Sequence, residues 1–239
     1  MPLFEEIDSQ ASSLGEISLR KRRIPVFGDI DIYEVKLGEE FLMSSMFVAA
    51  EEALSDLGLA KVQGDNLSVV VGGLGLGYTA VAALKDTRIK ELLVVDALET
   101  VIGWHKDELV PLGKVLNSDS RNRYVLGSFF DLACDQEIGF DATSPNKKFD
   151  AILLDIDHSP DEFLNASNAS FYTTEKLALM AKQLKSKGVF AMWSQNLPDP
   201  KFEALLSTVF ASVESHVVSF YNPFQNNEST NSVYVCVVR

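Results

Sequence analysis

The sequence has few cysteines and histidines, and this shortage argues against the common metal centres. Its 239 residues include two cysteines, Cys134 and Cys236, and three histidines, at positions 105, 158 and 216. The cysteines lack metal-ligand spacing, and the histidines do not cluster with them. We therefore expect no metal site and, in a reducing compartment, two free thiols.

Positive charge is also scarce. Lys and Arg number 21 against 34 Asp and Glu, which gives a formal net charge of −13. Because a nucleic-acid-binding surface must be basic, we expect no nucleic acid partner. The one basic run, over 20–23, is predicted to be a solvated strand end or turn. A net negative charge is compatible with a cationic substrate such as a polyamine.

Long apolar runs are missing as well. No run approaches the roughly 18 residues that are needed to span a bilayer, and the acidic start of the chain has no apolar signal core. We expect no membrane partner and a cytoplasmic protein. With 46% hydrophobic and 23% charged residues, the composition is typical of a globular chain with a substantial core.

The most informative feature that is present is a glycine-rich turn between two apolar runs. A β-branched run over 69–71 leads into the turn, and a second apolar run over 92–95 ends in Asp96. The turn has glycine at three alternate positions: Gly73, Gly75 and Gly77. In parallel α/β sheets, such a turn brings backbone N–H groups close to a nucleotide-like ligand, and the acid accepts hydrogen bonds from the ribose.

The spacing of the glycines narrows the ligand class. The dinucleotide fingerprint GxGxxG needs glycine at position 78, where the chain has Tyr78. The GxGxG pattern is instead similar to the first motif of class I S-adenosylmethionine-dependent transferases. A tight turn without a ligand, and an Asp96 that only caps a helix, are the alternatives.

The chain beyond the turn alternates predicted strands and helices. Strands are predicted over 69–71, 92–95, 124–126, 150–155, 189–193, 216–220 and 232–238. Helices are predicted over 78–84, 99–109, 174–184 and 200–210, the third of them stopped before Gly188. This alternation predicts an α/β fold with a mostly parallel, Rossmann-like sheet. Together with the GxGxG turn, the pattern resembles the class I methyltransferase fold. The last two strands have no helix between them, which predicts an antiparallel C-terminal edge.

The first 40 residues are predicted to form a short β-hairpin appended to a nucleoside-binding domain over 41–239. The strands and the turn of this hairpin are predicted over 17–19, 30–35 and 24–29. The polar stretch over 9–18 is predicted to be loose. A helix over 41–57 is predicted to open the larger domain.

Ligands of such sheets bind at the carboxyl ends of the strands, so the residues that follow each strand are candidates for the site. Ser128 and Phe129 follow the strand over 124–126, and we expect them on the cofactor side with Asp96. Aromatic residues at these positions are also common core residues.

A second polar run follows the strand over 150–155. Asp155, Asp157 and His158 fall within four positions, and a carboxylate or an imidazole here can accept a proton from an amine near neutral pH. The alternative is a polar strand end that caps a turn. The long connection over 159–171 is predicted to be a lid that excludes water from the reaction.

These segments together resemble the spermidine synthase (polyamine aminopropyltransferase) family over about residues 31–220. The likeness rests on the strand and glycine turn over 69–77, the acid and helix start over 94–101, the strand over 149–155, and the segment over 171–190. The resemblance implies S-adenosylmethionine or its decarboxylated form as the cofactor, with S-adenosylhomocysteine or methylthioadenosine as the product. It implies a small-molecule amine or another small acceptor, and it favours a homodimer.

The residues also depart from the family's pattern. The family's acid in the glycine turn falls on Gly75, and its adenine-side acid falls on Ser128. Its pocket tyrosine and glutamine fall on Met43 and Ser44. Its catalytic acid falls on His158, or on Asp157 with a shift of register.

Three functions follow from this pattern. The first is a spermidine-synthase-like transferase that moves an aminopropyl-type group to an amine, with Asp155, Asp157 and His158 as the catalytic candidates. The second is a methyltransferase that uses intact S-adenosylmethionine on an unknown acceptor, which the loss of the acid at Gly75 favours. The third is a non-catalytic homologue that binds a nucleoside.

Overall fold

The fold is taken from a computed structural model that describes residues 3–25 and 30–239. It contains two sheets. A four-stranded antiparallel sheet precedes a seven-stranded, mostly parallel sheet that is covered by helices. The larger part of the predicted turn over 24–29 lies outside the described residues.

The N-terminal sheet is larger than the predicted hairpin. Its strands are β1 (Phe4–Ser12), β2 (Gly15–Arg23), β3 (Asp31–Leu37) and β4 (Glu40–Ser44), paired in that order. The prediction that 9–18 is loose was wrong, because these residues belong mainly to β1 and β2. Ser9 pairs with Ser18 in the ladder, and β1 lies on the exposed edge, where backbone pairing does not require apolar alternation. The sheet ends at Ser44, four residues beyond the predicted boundary.

The large sheet has the predicted architecture. Its strands are β5 (Leu67–Gly72), β6 (Ile89–Asp96), β7 (Asn122–Leu126), β8 (Phe149–Leu154), β9 (Leu184–Ser194), β10 (Ser212–Asn222) and β11 (Asn227–Val237). Their order across the sheet is β10-β11-β9-β8-β5-β6-β7. Strands β5 to β9 run parallel, and β11 and β10 form the antiparallel edge. The predicted α/β fold with an antiparallel C-terminal edge is therefore confirmed.

Seven α-helices connect the strands in the described part of the chain. They are α1 (Ala49–Ala60), α2 (Tyr78–Leu84), α3 (Glu99–Lys106), α4 (Gly113–Ser118), α5 (Phe129–Cys134), α6 (Thr174–Ala181) and α7 (Pro200–Val209). The predicted helix over 41–57 began too early, because 41–44 pair with β3 as strand β4. The helix over 174–184 ends at Ala181, and Gly188 lies within β9 rather than past a helix end.

The core lies on both faces of the large sheet. Val69 and Val71 pack in one apolar cluster, and Val70 between them packs in the other. This alternation follows from the two-residue period of a strand, and burial on both faces explains why β5 has no polar face. Ile17 and Val35 of the small sheet join the first cluster, so the two sheets share a core.

Hydrogen bonds also hold the small sheet against the large one. The indole Nε1 of Trp104 donates to Asp8 Oδ2 at 2.6 Å, and Thr100 Oγ1 donates to Gln10 Oε1 at 3.2 Å. Both donors lie on α3, directly after Asp96. The N-terminal sheet is thereby fixed beside the carboxyl end of β6.

The basic run over 20–23 lies in β2, and acidic neighbours neutralise it. The pairs are Arg20 with Glu6, Lys21 with Glu5, Arg22 with Glu34 and Arg23 with Asp31. These ion pairs give the run a structural role within the sheet. In the part of the chain that the structure describes, no helix has the length and apolar character to cross a membrane.

Alanine substitutions at two glycines, one crowded and one not, test the packing at the carboxyl end of β5. A Cβ on Gly72 would lie 2.4 Å from the Phe129 ring, whereas a Cβ on Gly103 in α3 would meet nothing within 4 Å. We expect Gly72→Ala to lower the free energy of unfolding by about 1–3 kcal/mol through overpacking. Gly103→Ala should leave it unchanged or raise it by up to about 1 kcal/mol.

Urea unfolding followed by circular dichroism measures both variants. Equal stability of Gly72→Ala and the wild type would contradict the assignment of Phe129 as a rigid packing partner of the glycine turn.

Candidate functional site

A cavity of about 530 Å³ lies at the carboxyl ends of β5, β6, β8 and β9. The glycine turn, the segment after β8 and the N-terminal sheet all contribute to its wall. Four carboxylates line it: Glu51, Asp96, Asp131 and Asp155. Among the lining residues that the structure describes there is no Lys or Arg, so the cavity favours a cationic ligand.

The glycines of the turn are needed for close approach and for left-handed backbone. Gly73 has φ +92°, and a Cβ there would lie 2.0 Å from the carbonyl oxygen of Asp155. Gly75 has φ +46°, and a Cβ there would lie 2.4 Å from Met43 Sδ. Any other residue at 73 would force β5 and β8 apart.

Several N–H groups of the turn donate hydrogen bonds within the protein. Gly73 N–H donates to Val95 O, Leu74 N–H to Asp96 Oδ2, and Gly77 N–H to Leu74 O. These bonds fix the path of the turn. The turn would therefore serve a ligand mainly by its shape and by allowing the ligand close to the backbone, and less by offering unpaired N–H donors.

Two side chains hold the middle of the turn. Leu76 N–H donates to Met43 Sδ at 3.0 Å. Burial lowers the pKa of His105 to about 4, so the ring is neutral near pH 7, and its Nε2 is 3.0 Å from Gly75 O. We assign Nε2 as the protonated, donating nitrogen because a carbonyl can only accept. Met43 occupies the space above Gly75 with an uncharged thioether.

Asp96 lies at the end of β6, as predicted, and lines the cavity. Its two oxygens accept N–H bonds from Leu74 at 2.9 Å and Leu98 at 2.8 Å. Burial raises the pKa of Asp96, and these bonds oppose the rise. Gly75 N–H is a third backbone donor to Asp96. Because a carboxylate has about four acceptor sites, the group can still accept a bond from a ribose hydroxyl.

Ser128 and Phe129 lie beside Asp131 on the same wall. Ser128 caps α5, since its Oγ accepts the N–H of Asp131 at 3.2 Å. Phe129 is almost completely buried and packs on Gly72 and Phe140. Phe129 is thus mainly a core residue whose edge reaches the cavity.

An acidic pair lies on the other side of the cavity. Asp155 follows β8 and accepts a hydrogen bond from Thr79 Oγ1 at 2.6 Å; burial raises its pKa to about 6. Glu51, in the first turn of α1, is mostly shielded from solvent. Burial, and then the charge of Asp155, raise the pKa of Glu51 to about 8. Near pH 7 the pair therefore holds one proton and one negative charge.

Sequence reasoning missed Glu51. It stands next to Glu52 in a helix start, where acids are common because they interact favourably with the helix dipole. Glu52 pairs with Lys85 at 3.0 Å on the surface. No local signal distinguishes the two, and only the packing of α1 against the sheet places Glu51 in the cavity.

His158 lines the cavity and contacts the N-terminal sheet. Its Nε2 lies 2.7 Å from Glu40 Oε1, and its carbonyl accepts the N–H of Gln195 at 2.6 Å. His158 therefore links β4, the segment after β8 and the end of β9.

Asp157 is buried, and its carboxylate organises the loop that follows. It accepts bonds from Leu164 N–H at 2.8 Å, Asn168 Nδ2 at 2.8 Å and Tyr172 Oη at 2.7 Å. Burial raises its pKa despite these donors. Leu164 and Asn168 line the cavity, whereas Asp157 does not, so its carboxylate positions the predicted lid.

The predicted lid over 159–171 is ordered by these bonds and by a short 3-10 helix, Ala166–Phe171. In the residues that the structure describes, no three His, Cys, Asp or Glu side chains are placed to hold a metal ion.

The acidic pair predicts a pH dependence of stability. The pKa of Glu51 is raised from 4.5 to about 8 in the folded chain, so the folded state binds the proton more tightly than the unfolded state. The free energy of unfolding should then fall as pH rises from 4.5 to about 8, and level off above. We expect Glu51→Gln to reduce this fall by about 1–2 kcal/mol, after allowance for solvent screening.

Urea unfolding at about pH 5, 7 and 9 measures this slope. Glu52→Gln is the matched control, because it removes the neighbouring surface carboxyl and should leave the slope unchanged. The same slope in Glu51→Gln and the wild type would contradict the buried pair.

Comparison with known proteins identifies the fold. No family model and no curated protein sequence matches the chain. Solved structures with the same fold include spermidine synthase from Thermotoga maritima, at a TM-score of 0.71 and 16% identity, with 97% of this chain and 72% of that chain covered. A spermidine synthase in complex with the transition state analogue AdoDATO matches at a TM-score of 0.70 and 16% identity, with the same coverage.

Such low identity supports a conclusion about the fold and not about the substrate. The order of the strands, the appended antiparallel sheet and the cavity at the carboxyl ends agree with the predicted resemblance. This chain has the same fold as these spermidine synthase structures.

Proposed function

We propose that this chain is a transferase that binds S-adenosylmethionine or its decarboxylated form and alkylates an amine. The nucleoside lies against the glycine turn, with its ribose on Asp96 and its base beside Ser128 and Phe129. The carboxylate lining and the absence of Lys and Arg from the described wall suit a sulfonium cation. The bound sulfonium supplies an activated carbon and a thioether leaving group.

The observation that carries the proposal is the acidic pair across the cavity from Asp96. A carboxylate with a pKa near 6 is ionised at pH 7 and is still basic enough to remove a proton from an ammonium group. We assign Asp155 as this base. The freed nitrogen lone pair forms the new N–C bond as the C–S bond breaks, and the electron pair of that bond stays on sulfur.

The other site residues position the reactants. Thr79 orients Asp155 through its hydroxyl, and Glu51 holds the proton of the pair. Asp157 orders the lid, and His158 joins the lid to the N-terminal sheet. Most of the rate gain then comes from placing amine and carbon in contact in a site without water.

A methyltransferase is the second candidate, and Met43 favours it. The turn has no carboxylate at 75, and the Met43 thioether fills the space where one would lie. An uncharged thioether cannot pair with the ammonium of an aminopropyl group. The transferred group is therefore methyl if binding prefers the carboxylated nucleoside, and aminopropyl if it prefers the decarboxylated one.

Calorimetry tests the nucleoside site. We expect saturable binding of S-adenosylmethionine, its decarboxylated form or methylthioadenosine, with affinity about tenfold lower in Asp96→Asn, which loses charge-assisted acceptance from the ribose. Absence of binding by all three ligands would overturn the proposal. Binding without transfer to any amine would leave a nucleoside-binding homologue in its place.

Substitutions at Asp155 and Asp157 test which of the two is the base and which orders the lid. Asp155→Asn should lower kcat by about 10²–10⁴-fold and keep nucleoside affinity, because the base is lost and the cavity shape is not. In the wild type, kcat should fall as pH drops through about 6, where Asp155 becomes protonated.

Asp157→Asn should mainly raise KM for the acceptor and increase hydrogen exchange over 159–171, with the acidic limb of the pH profile unchanged. An amide at 157 has one acceptor oxygen for three donors, so the lid loosens. Glu52→Gln controls for loss of charge. A lost acidic limb in Asp157→Asn, with Asp155→Asn active, would reverse the two roles.

A further inference from the structure

The order of the strands divides the cavity into two halves. Asp96 ends β6 and Asp131 lies in α5 after β7, whereas Asp155 follows β8 and Trp193 lies in β9. The nucleoside site of the proposed function occupies the first half. The second half, with Glu51, Asp155 and Trp193, is where the acceptor binds.

The acidic pair in the acceptor half carries one negative charge near neutral pH. Glu51 and Asp155 share a proton there, because their pKa values are raised to about 8 and about 6. The remaining lining carboxylates, Asp96 and Asp131, lie in the nucleoside half. Glu51 and Asp155 are thus the carboxylates that line this half among the described residues, and together they suit one ammonium group.

The wall that leads outward from the acidic pair is aromatic. Phe41 and Phe47 line the cavity, and Phe47 precedes α1 by two residues, four positions before Glu51. The Phe47 ring lies 5.7 Å from the Phe220 ring and 6.0 Å from the Phe224 ring. We call these four phenylalanines the aromatic rim.

The aromatic rim reaches the surface. Phe41 is 49% exposed and Phe224 is 53% exposed. Phe220 and Phe224 belong to the β10–β11 hairpin. Strand β11 of this hairpin pairs with β9, so the hairpin lies on the side of the acceptor half. Exposed phenylalanines that continue a cavity wall are typical of a binding surface for an apolar ligand.

We infer that the acceptor is a primary monoamine with an apolar, preferably aromatic, body, and not a linear diamine. This inference rests on the proposed function. The ammonium group pairs with Glu51 and Asp155, and the body extends along the aromatic rim to the surface. Asp155 takes the proton from the nitrogen, which then bonds to the carbon beside the sulfonium.

A panel of acceptors tests the inference. Transfer from labelled S-adenosylmethionine and from its decarboxylated form is measured with 2-phenylethylamine, hexylamine, ethylamine and 1,4-diaminobutane. We expect kcat/KM to be at least about tenfold higher for 2-phenylethylamine than for ethylamine or the diamine, since ring contacts and area burial add on the order of 1–2 kcal/mol.

Two surface variants locate the body of the acceptor. Phe224→Ala should raise KM for 2-phenylethylamine about fivefold to tenfold and so reduce the preference for 2-phenylethylamine over ethylamine by a similar factor. Val217→Ala is the matched control, since Val217 is 51% exposed on the same hairpin and lies outside the aromatic rim. It should leave all constants unchanged.

The outcomes separate this inference from the proposed function. Nucleoside binding with transfer that prefers the diamine, or a Phe224→Ala variant with an unchanged KM, would overturn the inference alone. Failure to bind either nucleoside in calorimetry would overturn the proposed function, and the inference with it.

Discussion

The site depends on one close backbone approach, that of the glycine turn to the end of β8. Gly73 passes the Asp155 carbonyl so closely that a Cβ would lie 2.0 Å from it, and Asp155 N–H donates to Gly72 O at 2.8 Å. This contact brings the glycine turn and Asp155, the proposed base, to the same edge of the sheet. Asp96, His105 and Met43 then hold the rest of the turn in a left-handed path that is closed to other residues.

The sequence predicts the parallel sheet well because that part of the fold depends on local patterns. Each of its signals is recognised from a short stretch of sequence: the apolar runs at 69–71 and 92–95, the glycine spacing, and Asp96. The structure places the two runs in β5 and β6 and Asp96 at the end of β6, as predicted. The small sheet is harder to predict. Its edge strand β1 is polar on an exposed face, and backbone pairing with β2 rather than apolar alternation defines it.

The acceptor half could not be predicted because it is assembled from distant segments. Glu51 and Asp155 lie in different halves of the sequence. Their shared proton follows from burial that no local pattern encodes. Asp157 and His158 show the converse problem. Their residue types suit catalysis, but the Asp157 carboxylate accepts three hydrogen bonds from residues in and just after the lid. Only the structure distinguishes its role from that of Asp155, two positions earlier.

The placement of negative charge connects these observations. The turn has Gly75 where a carboxylate would otherwise lie, and the neutral thioether of Met43 covers this glycine. Across the cavity, Glu51 and Asp155 form a pair in which burial, and then the charge of Asp155, keep a proton on Glu51 near pH 7 by raising its pKa. A chain selected only for stability would not retain such a pair. Its unfavourable burial is understandable if the charge serves a ligand, and a single charge next to a row of phenylalanines matches one ammonium group on an apolar body.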